Sequence, residues 1–211
     1  MNVFLFGASG PTGLRVVDQL LTSGYRVKAM ARNPESCSFP DSKSLTVLKG
    51  DVMQPDTFQD HFSDIDVVIS TLGTGTNRKP TNIYSEGGRN MMAAMKKFGI
   101  KKLIVLTAAA FDTSDPQTNT FIVKAIVRQL FKNIYTDMEM LEKLLEENTD
   151  IDWICIRPTR LTSKKGTGKY RTNLNHSPKG GRKISRKDLS KFIVEQVESD
   201  EYIHEKPVVA Y

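Results

Sequence analysis

The chain has 211 residues, 39% hydrophobic and 26% charged, a composition that excludes collagenous, mucin-like and wholly disordered chains. A chain of this size buries roughly 70% of its unfolded surface without disulfide or metal staples. Lys and Arg outnumber Asp and Glu by 30 to 24, a net charge of +6, which admits anionic partners but is modest beside a dedicated nucleic-acid binder.

Short apolar runs alternate with longer helical patterns along the chain. Residues 3–6 form the first expected strand, with none of the basic and apolar regions of a secretory leader before it. A helix over 12–23 follows, stopped by Gly24, then strands over 25–31 and 45–48. Gln54-Pro55-Asp56 opens a short helix; a strand at 67–71 leads to a helix over 83–98 that Gly99 ends. The pattern continues with a strand at 103–107, a helix over 121–148, a strand at 153–156, a helix over 186–199 and a last strand at 208–210. Ser185 and Asp188 resemble a capping box before the last helix. Continuous Val, Ile and Leu runs fit strands buried on both faces, and the intervening helices supply parallel crossovers. The expected fold is therefore α/β, a doubly wound parallel sheet of Rossmann-like type, one domain over 1–211. No apolar run approaches the roughly 20 residues that cross a bilayer, so no membrane association is expected.

Gly7-Ala8-Ser9-Gly10-Pro11-Thr12-Gly13 stands between the first strand and the first helix, the context that a dinucleotide fingerprint requires. Gly7 permits the sharp turn, Gly10 lets a pyrophosphate approach the backbone, and Gly13 lets helix and strand pack closely. Free N–H groups at the helix start face the phosphates. The spacing is GxxGxxG rather than GxGxxG, and the alternative is a purely structural glycine turn. The second strand ends Met30-Ala31-Arg32-Asn33, with no acidic residue to hold a ribose diol. A guanidinium clamps a 2′-phosphate instead, so Arg32, helped by Asn33, points to NADP(H); the alternative is a surface arginine. Asp51, in Gly50-Asp51-Val52, accepts from the adenine amino group or makes an ordinary turn. Leu72-Gly73-Thr74 ends the fourth strand, where a small residue lets the chain pass beneath a cofactor or simply turns.

From 163 to 187 the chain carries nine basic residues, from Lys164 to Lys187, and no Asp or Glu. With Gly, Thr and Asn around them they read as a long irregular loop at about 162–187, either a substrate-side flap or a solvated basic surface.

The segments GASGPTG, ARN, GDV, STLGTG, SEGGRNMMAAMKKFGIKKLIVLT, IRPTRL and ISRKDL stand in this order. Over essentially its whole length the chain resembles the atypical short-chain dehydrogenase/reductase group that includes biliverdin-IXβ reductases and NADPH-flavin reductases. The resemblance implies a monomeric NADP(H)-binding domain that reduces FMN and other flavins, biliverdin isomers or quinone-like acceptors. It implies Gly7, Gly10, Thr12 and Gly13 at the pyrophosphate, with Ser9 and Pro11 in the same turn, and Arg32 at the 2′-phosphate. Asp51 and Val52 fall at the adenine, Leu72 and Gly73, with Thr74, under the linking ribose, and Thr107, with Ala108 and Pro158, beside the nicotinamide. Three positions depart from the family pattern. Ala108 replaces the serine of a TS pair, Thr159 after Pro158 replaces a histidine, and Met138 replaces another.

Thr107 and Thr159 are the candidates for orienting nicotinamide and acceptor, unless Thr107 only ends a buried strand and Thr159 only caps a loop. The tyrosine base of ordinary short-chain dehydrogenases is missing: Tyr135 is followed at the fourth place by Glu139, and the YxxxK string at Tyr202 and Lys206 sits outside its proper context. His61, His176 and His204 lack metal-ligand spacing, so no metal is expected. Cys155 reads as core and Cys37 as a loop residue, far apart as befits a reducing, cytoplasmic compartment. Trp153, Ile126, Leu130 and Leu141 read as core. Three functions stay open: a reductase holding a small planar anionic acceptor such as FMN or biliverdin, an NADP(H) sensor, and nucleic-acid binding. The last is the weakest, since the basic stretch has Tyr170 as its only aromatic, and no nucleic-acid partner is expected.

Overall fold

Along β1 (Asn2–Phe6), Phe4 and Phe6 enter one core while Val3 and Leu5 enter another, because successive side chains of a strand point to opposite faces. The same division in β4 (Val67–Ser70), β5 (Lys102–Leu106) and β6 (Asp152–Pro158) explains why these stretches are apolar almost throughout. The computed structural model describes residues 1–75, 77–117 and 126–211. These strands join β2 (Arg26–Ala31), β3 (Leu45–Lys49), β8 (Arg171–Leu174) and β10 (Pro207–Ala210) in an eight-stranded sheet, order β3-β2-β1-β4-β5-β6-β10-β8. All its pairings are parallel except β10 with β8. This is the Rossmann-like, doubly wound order.

Helices cover both faces. α1 (Gly13–Thr22) and α5 (Arg186–Glu195) pack on the aliphatic side; α2 (Ser85–Phe98) and α4 (Lys132–Glu146) pack on the phenylalanine-rich side. The glycine stops act as expected, Gly24 and Gly99 having φ of 83° and 72°. Ser185 accepts from the Asp188 amide at 3.0 Å. The Asp188 carboxylate turns elsewhere, accepting from the amides of Thr167 and Gly168 and from Tyr211 Oη. A second cap arises between helices: Asp137 of α4, 2% exposed, accepts from the Tyr84 and Ser85 amides at the start of α2.

Two expectations are corrected. The helix expected over 121–148 is a short turn, α3 (Arg128–Leu130), and then α4, separated at Phe131 with φ −110° and ψ 15°. Residues 121–125 of that expectation lie outside the described residues. Ile134, Met138, Leu141 and Leu145 form the buried stripe of α4. The break at Phe131 keeps this stripe from extending back, so Ile126 and Leu130 are 53% and 43% exposed rather than core, whereas Trp153 and Leu141 are buried.

The basic stretch is also not one irregular loop. It contains β8, paired antiparallel at the sheet edge, and β9 (Lys183–Ser185), paired with β7 (Arg160–Thr162). Asp188 holds the 167–168 backbone, and Asp115 accepts from the Ser177 amide and hydroxyl. Buried carboxylates therefore anchor a segment that itself contains none.

Candidate functional site

The parallel strands end along one edge of the sheet, where doubly wound folds bind ligands, and a cleft of about 710 Å³ opens there. Its lining joins Gly7, Ser9, Gly10, Pro11 and Thr12 after β1 to Arg32 after β2 and to Asp51 and Val52 after β3. Leu72, Gly73 and Thr74 after β4, Thr107 and Ala108 after β5, and Pro158 and Thr159 at the end of β6 complete that side. Gly13 and Asn33 stand outside the lining. Gly13 is buried under the turn, and Asn33 is an exposed residue whose carbonyl accepts from the Ser36 amide and hydroxyl.

The glycine turn fits a dinucleotide on its own geometry. Gly7 has φ 74°, and a Cβ there would lie 2.7 Å from the Thr71 carbonyl carbon; a Cβ on Gly13 would overlap the Gly7 carbonyl oxygen. A Cβ on Gly10 would meet only Gly7 O, at 3.3 Å, so that position is open toward the cleft. The Gly10 amide is taken by Gly7 O and the Leu14 amide by Gly10 O. Those of Thr12 and Gly13 have no backbone acceptor among the described residues, and the first turn of α1 has no acidic residue. A helix start in this state favours an anion. Arg32 is exposed and has no carboxylate within ion-pair distance among the described residues. Asp51 Oδ1 accepts from the Met53 amide at 3.0 Å, fixing the turn after β3.

The opposite wall was not foreseen. Phe131, Ile134, Tyr135 and Met138, with Tyr84, make the α4 side of the cleft apolar and aromatic, and Arg160 and Arg186, which stand with Leu161 and α5 on the other face of the sheet, add two guanidinium groups to the lining. Of the nine basic residues in 163–187, Arg186 alone lines the cleft. Burial, then the charge of Asp137, pushes the Tyr84 hydroxyl up to about 12, and burial raises that of Tyr135. Both phenols keep their protons at neutral pH.

Behind the ends of β5 and β6 lies a buried ionic cluster. Thr107 Oγ1 donates to Glu142 Oε1 at 2.8 Å, and Arg157 Nε donates to the same oxygen at 3.0 Å. Arg157 Nη2 bonds Glu142 Oε2, Nη1 reaches Asp112 Oδ2 at 3.0 Å, and the guanidinium lies 5.3 Å from the Phe111 ring centre. Lys206 Nζ is 3.4 Å from Glu142 Oε2. Burial alone would raise the Glu142 pKa, but the hydrogen bonds and charge of Arg157, with Thr107 and Lys206, hold the carboxyl below the usual range. The Cys155 thiol, 3.4 Å from Thr107 Oγ1, is pushed well up by burial and by the Glu142 charge. Thr159 donates to Val209 O at 3.3 Å. Both candidate hydroxyls thus spend their protons on the protein. The sequence did carry a signal: Arg157 interrupts an apolar strand, and Glu142 sits beside Leu141 and Leu145 on the buried side of α4.

Tyr202 and Lys206 lie outside the cleft, bonded to Thr172 and to Glu142 and Glu146 respectively. No three His, Cys, Asp or Glu side chains among the described residues are grouped to hold a metal. No helix among them is long and apolar enough to cross a membrane. A second groove, of about 740 Å³, lies between α2 and α4 and includes Pro80, Asn90, Lys132 and Met140.

A family model described as NAD(P)H-binding matches residues 7–200. The chain is 29% identical over 180 residues to an uncharacterised chloroplastic protein of Arabidopsis thaliana, covering 79% of this chain and 61% of the relative. It is 28% identical over 116 residues to the photosystem II assembly factor Ycf39 of Synechocystis, covering 53% and 36%. The chain thus spans less than two thirds of the length of both curated relatives. A proposed NADH-flavin reductase of Streptococcus pneumoniae superposes with a TM-score of 0.79 at 20% identity, over 100% of this chain and 99% of that one. At that identity the likeness is one of fold.

Proposed function

We propose, from the premise that this chain belongs to the NAD(P)H-binding family, that it is an NADPH-dependent reductase passing hydride to a small planar anionic acceptor, namely a flavin such as FMN, biliverdin or a quinone-like ring. The observation that carries this reading is the mixed lining of one cleft: a glycine turn and Arg32 together with an aromatic surface from α4 and two further guanidinium groups, Arg160 and Arg186. Arg32 holds the 2′-phosphate by charge-assisted hydrogen bonds, and Gly10 leaves room for the pyrophosphate. Phe131 and Tyr135 shield a flat ring from water, while Arg160 and Arg186 attract its anionic group. When bound, the nucleotide supplies the hydride. Water delivers the proton, and positioning supplies most of the acceleration. The likeness in fold to a proposed NADH-flavin reductase supports this reading. Two free cysteines suit the cytoplasm, and a monomer suffices for a cleft built from one chain.

A second reading, an NADP(H)-binding sensor or regulatory protein of weak activity, is favoured by the inward hydrogen bonds of Thr107 and Thr159 and by a relative named as an assembly factor. Loss of reduced-nicotinamide absorbance with FMN, FAD, riboflavin, biliverdins and quinones separates the two. The reductase reading expects slow turnover of at least one acceptor, faster with NADPH than with NADH. Binding of NADPH with no acceptor reduced would give the sensor reading its place.

A further inference from the structure

We propose that Glu142, held by Arg157, is a positioning residue that fixes the Thr107 hydroxyl as a hydrogen-bond acceptor toward the cleft, where it receives an O–H or N–H donor from the nicotinamide half of the nucleotide. This rests on the reading of the cleft as the NAD(P)H site.

A threonine hydroxyl has one proton and two lone pairs, whereas an ionised carboxylate only accepts. Glu142 lies between Arg157 and Lys206, so its carboxylate is charged and the bond from Thr107 has one direction. Both carboxylate oxygens are engaged, Oε1 by Thr107 and Arg157 Nε, Oε2 by Arg157 Nη2 and Lys206. The buried Cys155 thiol sits 3.4 Å from Thr107 Oγ1 and 3.5 Å from Glu142 Oε1. Whichever oxygen takes its proton, Thr107 keeps a lone pair. Thr107 is 5% exposed and lines the cleft where β5 ends, and the lone pair left after these bonds is what its hydroxyl would offer an occupant there. A ribose hydroxyl or a carboxamide N–H satisfies it; a phosphate or carbonyl oxygen is repelled. A purely stabilising role explains the ion pair less well, since apolar pairs of similar volume serve a buried core at least as well.

The test is calorimetric titration with NADP⁺ and with 2′,5′-ADP, which lacks the nicotinamide and its ribose. Thr107→Val and Glu142→Gln are expected to weaken NADP⁺ by about five- to tenfold, the worth of one hydrogen bond, and to leave 2′,5′-ADP unchanged. Thr107→Ser is expected to bind both like the wild type. Should Glu142→Gln fail to fold, the paired change Glu142→Met with Arg157→Met keeps the site packed and is expected to show the same selective loss. Equal weakening of both ligands, or wild-type affinity for NADP⁺ in Thr107→Val, would overturn the proposal while leaving the cleft assignment intact. Failure of wild-type protein to bind either ligand would instead remove the cleft assignment and this inference with it.

Discussion

The two ends of the cleft are built from different materials. At the glycine turn, the groups available to a ligand are backbone amides from one short segment and an exposed arginine from the next strand. Where β5 and β6 end, Thr107 is governed by Glu142, Arg157 and Asp112, which come from α4, β6 and the loop after β5 and are mostly buried. The first end offers generic anion chemistry at little cost to the fold. The second commits a buried ion pair to shaping one wall, and stability and function are tied together there.

The largest effect expected from this contrast is at the buried end. Glu142→Gln removes one of the two carboxylates that neutralise Arg157, leaving Asp112, and should cost up to about 3–5 kcal/mol in denaturant unfolding. Replacing both residues by methionine should recover most of that, and a loss from Glu142→Gln under about 1 kcal/mol would mean that water reaches the pair. At the open end, Gly10→Val should weaken NADPH and NADH alike by about 100-fold, roughly 2.7 kcal/mol, with a smaller loss of folding stability, since its Cβ meets a single neighbour, the Gly7 carbonyl oxygen, at a tight 3.3 Å. A matching drop in unfolding temperature would show that the turn, not the ligand, needs the glycine. Arg32→Ala is more selective: roughly 1.5–3 kcal/mol should be lost for NADPH and little for NADH, and equal losses in calorimetry would deny it the 2′-phosphate.

The smallest effect is one of pH. Burial works against ionisation of Glu142, but Arg157, Thr107 and Lys206 overcome it, so the folded pKa lies below the unfolded one. Its stabilisation is complete above the unfolded value, near about 4.3, and is lost as pH falls through the folded value. In the paired methionine variant, the acid limb of stability should be shallower below about pH 4. An unchanged limb would assign acid sensitivity to other carboxylates, such as Asp112 and Asp188, which are also held low.

The same contrast explains what could be read from the sequence. The glycine turn, Arg32, the chain order of the main strands and helices and the glycine helix stops depend on local runs and spacings, and the structure places the first two at the cleft and the stops at their helix ends. The strands β7, β8 and β9 depend on distant partners. Thr172 and Asn173 have no strong strand pattern of their own and become strand because β10 offers an open edge. The aromatic wall was equally hidden, since Ile134 and Met138 look the same in sequence whether they face a core or a ligand. Glu142 and Arg157 were visible as misplaced charges, but 15 residues separate them and their pairing emerges only when α4 packs against β6.

Hydrogen–deuterium exchange with and without NADPH decides whether the cleft along the strand ends holds the nicotinamide nucleotide. Protection is expected in the Gly7–Gly13 turn, at Asp51 and Val52, and at Leu72 to Thr74. Protection confined to the groove between α2 and α4 around Asn90 and Met140, or no protection at saturating NADPH, would contradict it.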